Sequence, residues 1–259
     1  VRIKELINSF EEDYPLETSE DWDNSGIQVG DINQELKNIM VTLEITEEAL
    51  ARAVEEDVNL IICHHPLIFP TIANIDKDNF KGSKLINAIK NNIVIYASHS
   101  PIDMAGFNEY IFNRLGFQSE GKISYTNEAK TLAYGDYANE KISLRPLVEQ
   151  IKENLDLDHL VVWGDKNEFK KIGLVTGSGM SFIEDVKRLG IDLFITGDIG
   201  HHDAMDAIEQ GITLIDISHE GSEKFFTYFV ERILDEEFED GQINIIKYYN
   251  EDKYLRKIM

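Results

Sequence analysis

One stretch of the chain recurs 133 positions later, and this recurrence limits the fold more than any other feature. Lys37-Asn38-Ile39-Met40-Val41-Thr42-Leu43 lines up with Lys170-Lys171-Ile172-Gly173-Leu174-Val175-Thr176. At the same offset, Val58-Asn59-Leu60-Ile61-Ile62-Cys63 meets Ile191-Asp192-Leu193-Phe194-Ile195-Thr196. Between the paired apolar runs lie Glu47 to Asp57 and Ser181 to Gly190, whose apolar residues recur at three- and four-residue spacings, as in amphipathic helices. The match continues through Ala88 to Ile95 and Ala207 to Leu214, each the end of a helix followed by a buried strand. It closes on Ser98-His99-x-x-x-Asp103 and Ser218-His219-x-x-x-Glu223, where the offset has fallen to 120. The first copy therefore carries extra residues, placed most simply in the loop after Pro66. Short apolar strands alternating with helices predict an α/β fold with largely parallel or mixed sheets. The expected division is a first repeat over residues 1–125 carrying His64, His65 and Asp103. A second follows over 126–259 carrying His219 and Glu223, with terminal elements open to exchange between units.

Outside the copies, Ser143 to Leu155 predicts a helix with Leu144, Leu147, Val148 and Ile151 on one face. Leu160 to Asp165 predicts a strand and turn. A C-terminal helix is expected from about Ser222 to Asp235, then a strand at Ile243 to Ile246 and a polar tail. The acidic run Asp235 to Asp240 reads as a solvated helix end.

Acidic residues number 48 against 25 basic ones, a formal net charge of −23. That field repels phosphate backbones and anionic lipid, which argues against nucleic acid and membrane as partners. With one cysteine, Cys63, a disulfide framework and a cysteine-built zinc module are excluded. The charged start Val1-Arg2-Ile3-Lys4-Glu5 lacks the apolar core of a signal peptide, and no apolar run approaches the roughly 18 residues of a membrane span. A cytoplasmic protein is the expectation.

Ligands in open α/β sheets gather beyond the carboxyl ends of strands. Four polar clusters fall there: His64-His65, His99 to Asp103, Gly197 to His202, and His219 to Glu223, and they hold six of the seven histidines. Alone, His64-His65 would read as a hydrogen-bonded pair opening a loop. Grouped with the others it reads as metal-ligating, since neutral imidazole suits zinc and iron-type ions. The i, i+4 pairs His99/Asp103 and His219/Glu223 place imidazole and carboxylate on one face; His99 suits a helix-capping ion pair and a ligand equally, while Asp103, His219 and Glu223 fit ligation better. Cys63 fits a core thiol better than a soft ligand. Thr176-Gly177-Ser178-Gly179-Met180-Ser181 could hold a phosphate, but it lacks the P-loop lysine and fits a capping turn better. Trp22-Asp23-Asn24-Ser25-Gly26 suits a cavity wall and a structural turn equally.

Five short motifs stand in order along the chain: Trp22-Asp23-Asn24-Ser25-Gly26-Ile27-Gln28-Val29-Gly30, His64-His65-Pro66, His99-x-x-x-Asp103, Thr196-Gly197-Asp198-Ile199-Gly200-His201-His202 and His219-x-x-x-Glu223. Together they resemble the Nif-three-like family, also known as GTP cyclohydrolase I type 2 homologues or dinuclear-metal-centre hexameric proteins. The resemblance implies two intertwined, duplicated α/β units with mixed sheets, a toroidal homohexamer, and two divalent metal ions, iron or zinc with manganese as an alternative. It implies His64, His65, Asp103, His219 and Glu223 as ligands, Glu223 as a bridge, and His99 and His202 beside the metals as proton carriers; Glu220 and His201 are further candidates for the base. It departs from the family where Pro101 replaces an asparagine, and where the usual Gly-His-Tyr is Ser218-His219-Glu220. The expected activity is hydrolysis of a nucleotide or related heterocycle, such as opening the guanine imidazole ring of GTP with release of formate. The alternative is a non-catalytic, metal-binding or regulatory hexameric scaffold.

Overall fold

The computed structural model describes residues 1–126, 131–238 and 243–249. The chain divides into two compact units, Val1–Ala105 with the described residues from Phe226 onward, and Gly106–Phe225.

The first unit opens with helix α1 (Ile3–Asp13), which buries Ile3, Leu6, Ile7 and Phe10 on one side. Strands β1 (Gly26–Val29), β2 (Asn38–Thr42), β3 (Val58–Cys63) and β4 (Val94–Ala97) alternate with helices α2 (Glu47–Glu55) and α3 (Phe80–Lys90). Both helices start on side-chain caps: Thr46 Oγ1 accepts from Ala49 N, and Asn79 Oδ1 from Lys81 N and Gly82 N. Every residue of β3 is buried, as a central strand covered on both faces requires. Three-residue α4 (Ser100–Ile102) then widens into a π turn at Asp103–Phe107, a geometry often found at functional sites.

In the second unit α5 (Asn108–Arg114) leads to β5 (Gly121–Thr126), β6 (Thr131–Ser143), α6 (Leu144–Asn154), β7 (Val161–Trp163) and β8 (Glu168–Ser178). These are followed by α7 (Ile183–Arg188), β9 (Leu193–Gly197), α8 (His201–Glu209), β10 (Thr213–Asp216) and α9 (His219–Glu223). The chain returns to the first unit with α10 (Phe226–Glu237) and β11 (Asn244–Lys247).

The duplication is explicit in the sheets. The first runs β1-β4-β3-β2-β11 and the second β5-β6-β8-β9-β10-β7. In each, three parallel strands follow one another in chain order, β2-β3-β4 and β8-β9-β10. An antiparallel strand covers the outer edge of the third, β1 on β4 and β7 on β10. The copies differ at the opposite edge, where β11 adds in parallel to β2 but β6 adds antiparallel to β8. The extra residues of the first copy are where the repeat puts them. Residues 64–79 join β3 to α3, whereas only 198–200 join β9 to α8, a difference of 13 that equals the fall in offset from 133 to 120.

The helix expected from about Ser222 to Asp235 is two helices. Its first turn belongs to α9, and the chain breaks at Lys224-Phe225 before α10. Phe225 lies under the Arg114 guanidinium, 3.7 Å from its ring centre, in the second unit. Phe226, Phe229, Val230 and Leu234 are buried in the first. Asp235 and Glu236 are exposed, as a solvated end requires, while Glu239 and Asp240 and the tail from Asn250 lie outside the described residues. No helix among the described residues is long and apolar enough to cross a membrane.

Candidate metal centre

In the first unit the β2–β3 ladder continues past both strands. His64 N donates to Thr42 O and His65 N to Leu43 O, at 3.1 and 3.0 Å, so the two histidines leave the sheet at fixed positions. His64 is fully buried, with Nδ1 2.9 Å from Ser98 O. A carbonyl only accepts, so Nδ1 carries the proton and the lone pair of the neutral ring is on Nε2. That Nε2 lies 3.5 Å from Asp103 Oδ1. His65 Nδ1 is 2.6 Å from Glu44 Oε1, and His99 Nδ1 is 3.0 Å from Asp23 Oδ1. The ring centres of His64, His65 and His99 are 4.9 to 5.4 Å apart, and one nitrogen from each falls within 4.8 Å of the others.

Asp23 organises this half. Its enclosed carboxylate accepts from His99 Nδ1, Ser25 Oγ, Asn24 N, Ser100 N and Ser100 Oγ. Burial alone would raise its pKa, but the bond and charge of His99 with the Ser100 and Ser25 bonds outweigh it and hold the carboxyl well below the usual range. The Trp22 to Gly26 motif is therefore the turn that clamps the His99 loop.

In the second unit, His219 opens α9 with Nδ1 2.7 Å from Asp198 Oδ2 and Nε2 3.1 Å from Glu223 Oε2. The i, i+4 spacing thus meets as expected here. In the first copy it does not, because His99 precedes the helix turn and faces Asp23 while Asp103 faces His64. Glu223 is buried in a cradle that only glycine permits. Gly177 has φ +65°, and a Cβ there would lie 2.5 Å from Glu223 Oε1 and 3.5 Å from His219 Cε1. A Cβ on Gly197 would lie 2.6 Å from His219 N. Burial, opposed by Lys224 and assisted by Glu223, raises the Glu220 carboxyl pKa. His202 and His201 are exposed in the first turn of α8, their ring centres 5.3 Å apart.

Ser218, which caps α9 through Gly221 N, has φ 62° and ψ 161°, a region almost reserved for glycine. Ser218→Gly is expected to raise stability by about 1 kcal/mol, the relieved strain exceeding the lost cap and the added freedom of the unfolded chain. Thermal unfolding should show a gain of about 2–4 °C; a lower melting temperature would mean that the serine conformation is not strained.

The segment from Thr176 to Ser181 is no phosphate loop. The amides of Thr176, Gly177 and Gly179 are taken by Asn108 Oδ1, Ser222 Oγ and Thr196 Oγ1, at 2.9, 2.7 and 2.8 Å. Cys63 is buried in the first unit's core with its thiol pKa pushed up, chiefly by burial, as a structural cysteine requires.

In the four histidines from His64 to His219 just described, Nδ1 is held by a carbonyl or carboxylate, so Nε2 is the ring nitrogen that would ligate a metal. This is the arrangement in which histidine ligates metal. Imidazole nitrogen and carboxylate oxygen are also the donors that zinc and iron-type ions prefer. The roles of Glu44, Asp198 and Gly177 are not evident from the residue pattern. The strand-end rule could have marked Glu44, two residues beyond β2, and Asp198 lies inside a motif singled out for its histidines.

A family model described as Duf34/NIF3 (NGG1p interacting factor 3) matches residues 1–253. A Clostridium acetobutylicum protein named GTP cyclohydrolase 1 type 2 homolog is 33% identical over 229 residues, covering 86% of this chain and 85% of its own. A Clostridium perfringens protein of the same name is 36% identical over 229 residues, covering 86% and 87%. The crystal structure of a Bacillus cereus protein related to NIF3 shares the fold, with a TM-score of 0.84 and 22% identity over 100% of this chain and 99% of that one.

Proposed function

The chain belongs to the Duf34/NIF3 family, and from that premise we propose that it is a dinuclear-metal-dependent hydrolase acting on a nucleotide or related heterocycle. His64, His65, Asp103, His219 and Glu223 would hold the two divalent ions, with iron, zinc or manganese as occupants. The observation that carries the reading is the fixing of each candidate histidine through Nδ1, by Ser98 O, Glu44 and Asp198, which presents Nε2 as the ligand atom. Two bound cations supply an acidified water and a polarised electrophile.

The chain's own residues supply the rest. His99 is the group suited to carry a proton. Its Nδ1 is tied to the enclosed Asp23 carboxylate, which fixes the ring and makes Nε2 the atom that would take and return the proton. His202, exposed at the start of α8, is the second candidate for that role. Glu44 and Asp198 keep His65 and His219 in one ring orientation through the cycle.

The names of the relatives propose GTP as the substrate, and the family resemblance proposes opening of the guanine imidazole ring with release of formate. The resemblance also proposes a toroidal homohexamer of this chain. Purified protein loaded separately with zinc, iron or manganese and given GTP is expected to release formate, and to lose that activity in the Glu223→Gln variant. Tight metal binding with no formate under any metal would remove GTP as substrate. Failure extending to other purine heterocycles would favour the non-catalytic scaffold.

A further inference from the structure

The extra residues of the first copy build a feature that the second copy lacks. Within the 64–79 loop, Phe69 stands beside Trp22 with ring centres 6.0 Å apart, meeting edge to face at 63°. Trp22 in turn lies 5.6 Å from the His99 ring. Both aromatic side chains are open to solvent, Trp22 at 54% and Phe69 at 47% exposure. The arrangement is fixed by polar contacts. Asn24 Nδ2 donates to Ile68 O at 2.8 Å, Ile68 N donates to Gln28 Oε1 at 3.1 Å, and Lys81 Nζ donates to Phe69 O. The turn that carries Trp22 is itself pinned by Asp23.

Two exposed aromatic rings, held rigidly beside a histidine cluster, offer a sequence-tolerant surface for a flat ring. The net charge of −23 favours an uncharged ring over a polyphosphate as the group recognised by this surface. We propose that Trp22 and Phe69 form an aromatic platform on which the heterocyclic base of a nucleoside-type substrate stacks, positioning it at His99. The proposal rests on the hydrolase reading above and names the part of the substrate that the loop recognises.

The test is titration of metal-loaded protein with guanosine, followed by calorimetry, with ribose 5-phosphate as the ligand lacking a base. Guanosine is expected to bind, and Trp22→Ala and Phe69→Ala each to weaken it about tenfold, the scale of one lost base–aromatic stack. Trp22→Phe, which keeps a ring, should stay within about threefold of the parent. Elemental analysis should find the metal content of all three variants unchanged. Absence of guanosine binding to the parent protein, binding by both alanine variants as tight as the parent's, or equal competition by ribose 5-phosphate would overturn the platform. The two readings separate cleanly. Trp22-dependent guanosine binding without formate release keeps the platform and removes the cyclohydrolase activity. Formate release unaffected by either alanine substitution does the reverse.

Discussion

Gly177→Ala is expected to lower metal affinity by about 10- to 100-fold while leaving the sheet of the second unit in place. The new Cβ would lie 2.5 Å from Glu223 Oε1, inside the contact distance of any carbon and oxygen, so the carboxylate must move. Glu223 would leave an enclosed position. Its side chain is 3% exposed and already faces His219 Nε2 at 3.1 Å. Alanine at φ +65° adds about 1–2 kcal/mol of backbone strain. Isothermal titration with zinc, paired with circular dichroism, would check both parts. Unchanged affinity in a folded variant would show that Glu223 is no ligand, or that its position is not set by Gly177.

Asp23→Asn is expected to be the more destabilising change, by about 3 kcal/mol, because it removes the charge from a buried, hydrogen-bonded pair. The amide would also present N–H groups to a site already filled with donors from Ser25, Ser100 and Asn24. The pH dependence follows from the lowered pKa of Asp23 in the folded state. A depressed carboxyl stabilises the fold fully above its unfolded pKa of about 3.9, and that contribution fades as pH falls toward the folded value. Denaturant unfolding of the parent should therefore weaken from about pH 5 downward, and Asp23→Asn should show a flatter profile over the same range. Equal slopes in the two proteins would mean that Asp23 is not the group responsible.

The architecture was legible because repetition is a long-range signal written in local patterns. The run from Val58 to Cys63 is strand β3 residue for residue, and the changed offset located the longer loop of the first copy. The strand-end rule also points to His64, His65, His99 and His219, since those strands are largely apolar and the histidines follow their carboxyl ends. The partners of these histidines were less legible. Asp23 meets His99 across 76 positions, and Glu44 and Asp198 meet His65 and His219 across 21, so no local spacing announces them. Gly177 looked like a capping glycine because its importance lies in the atom it lacks. Strand β6, whose exposed and buried residues do not alternate cleanly, left no period-two pattern to read.

The central claim is that five side chains, from His64 to Glu223, hold two metal ions per chain. Elemental analysis of the purified protein beside its Glu223→Gln variant tests it most directly. The claim predicts about two equivalents of divalent metal per chain in the parent, and a fall to one or fewer in a variant of unchanged secondary structure. The same metal content in both proteins would contradict it.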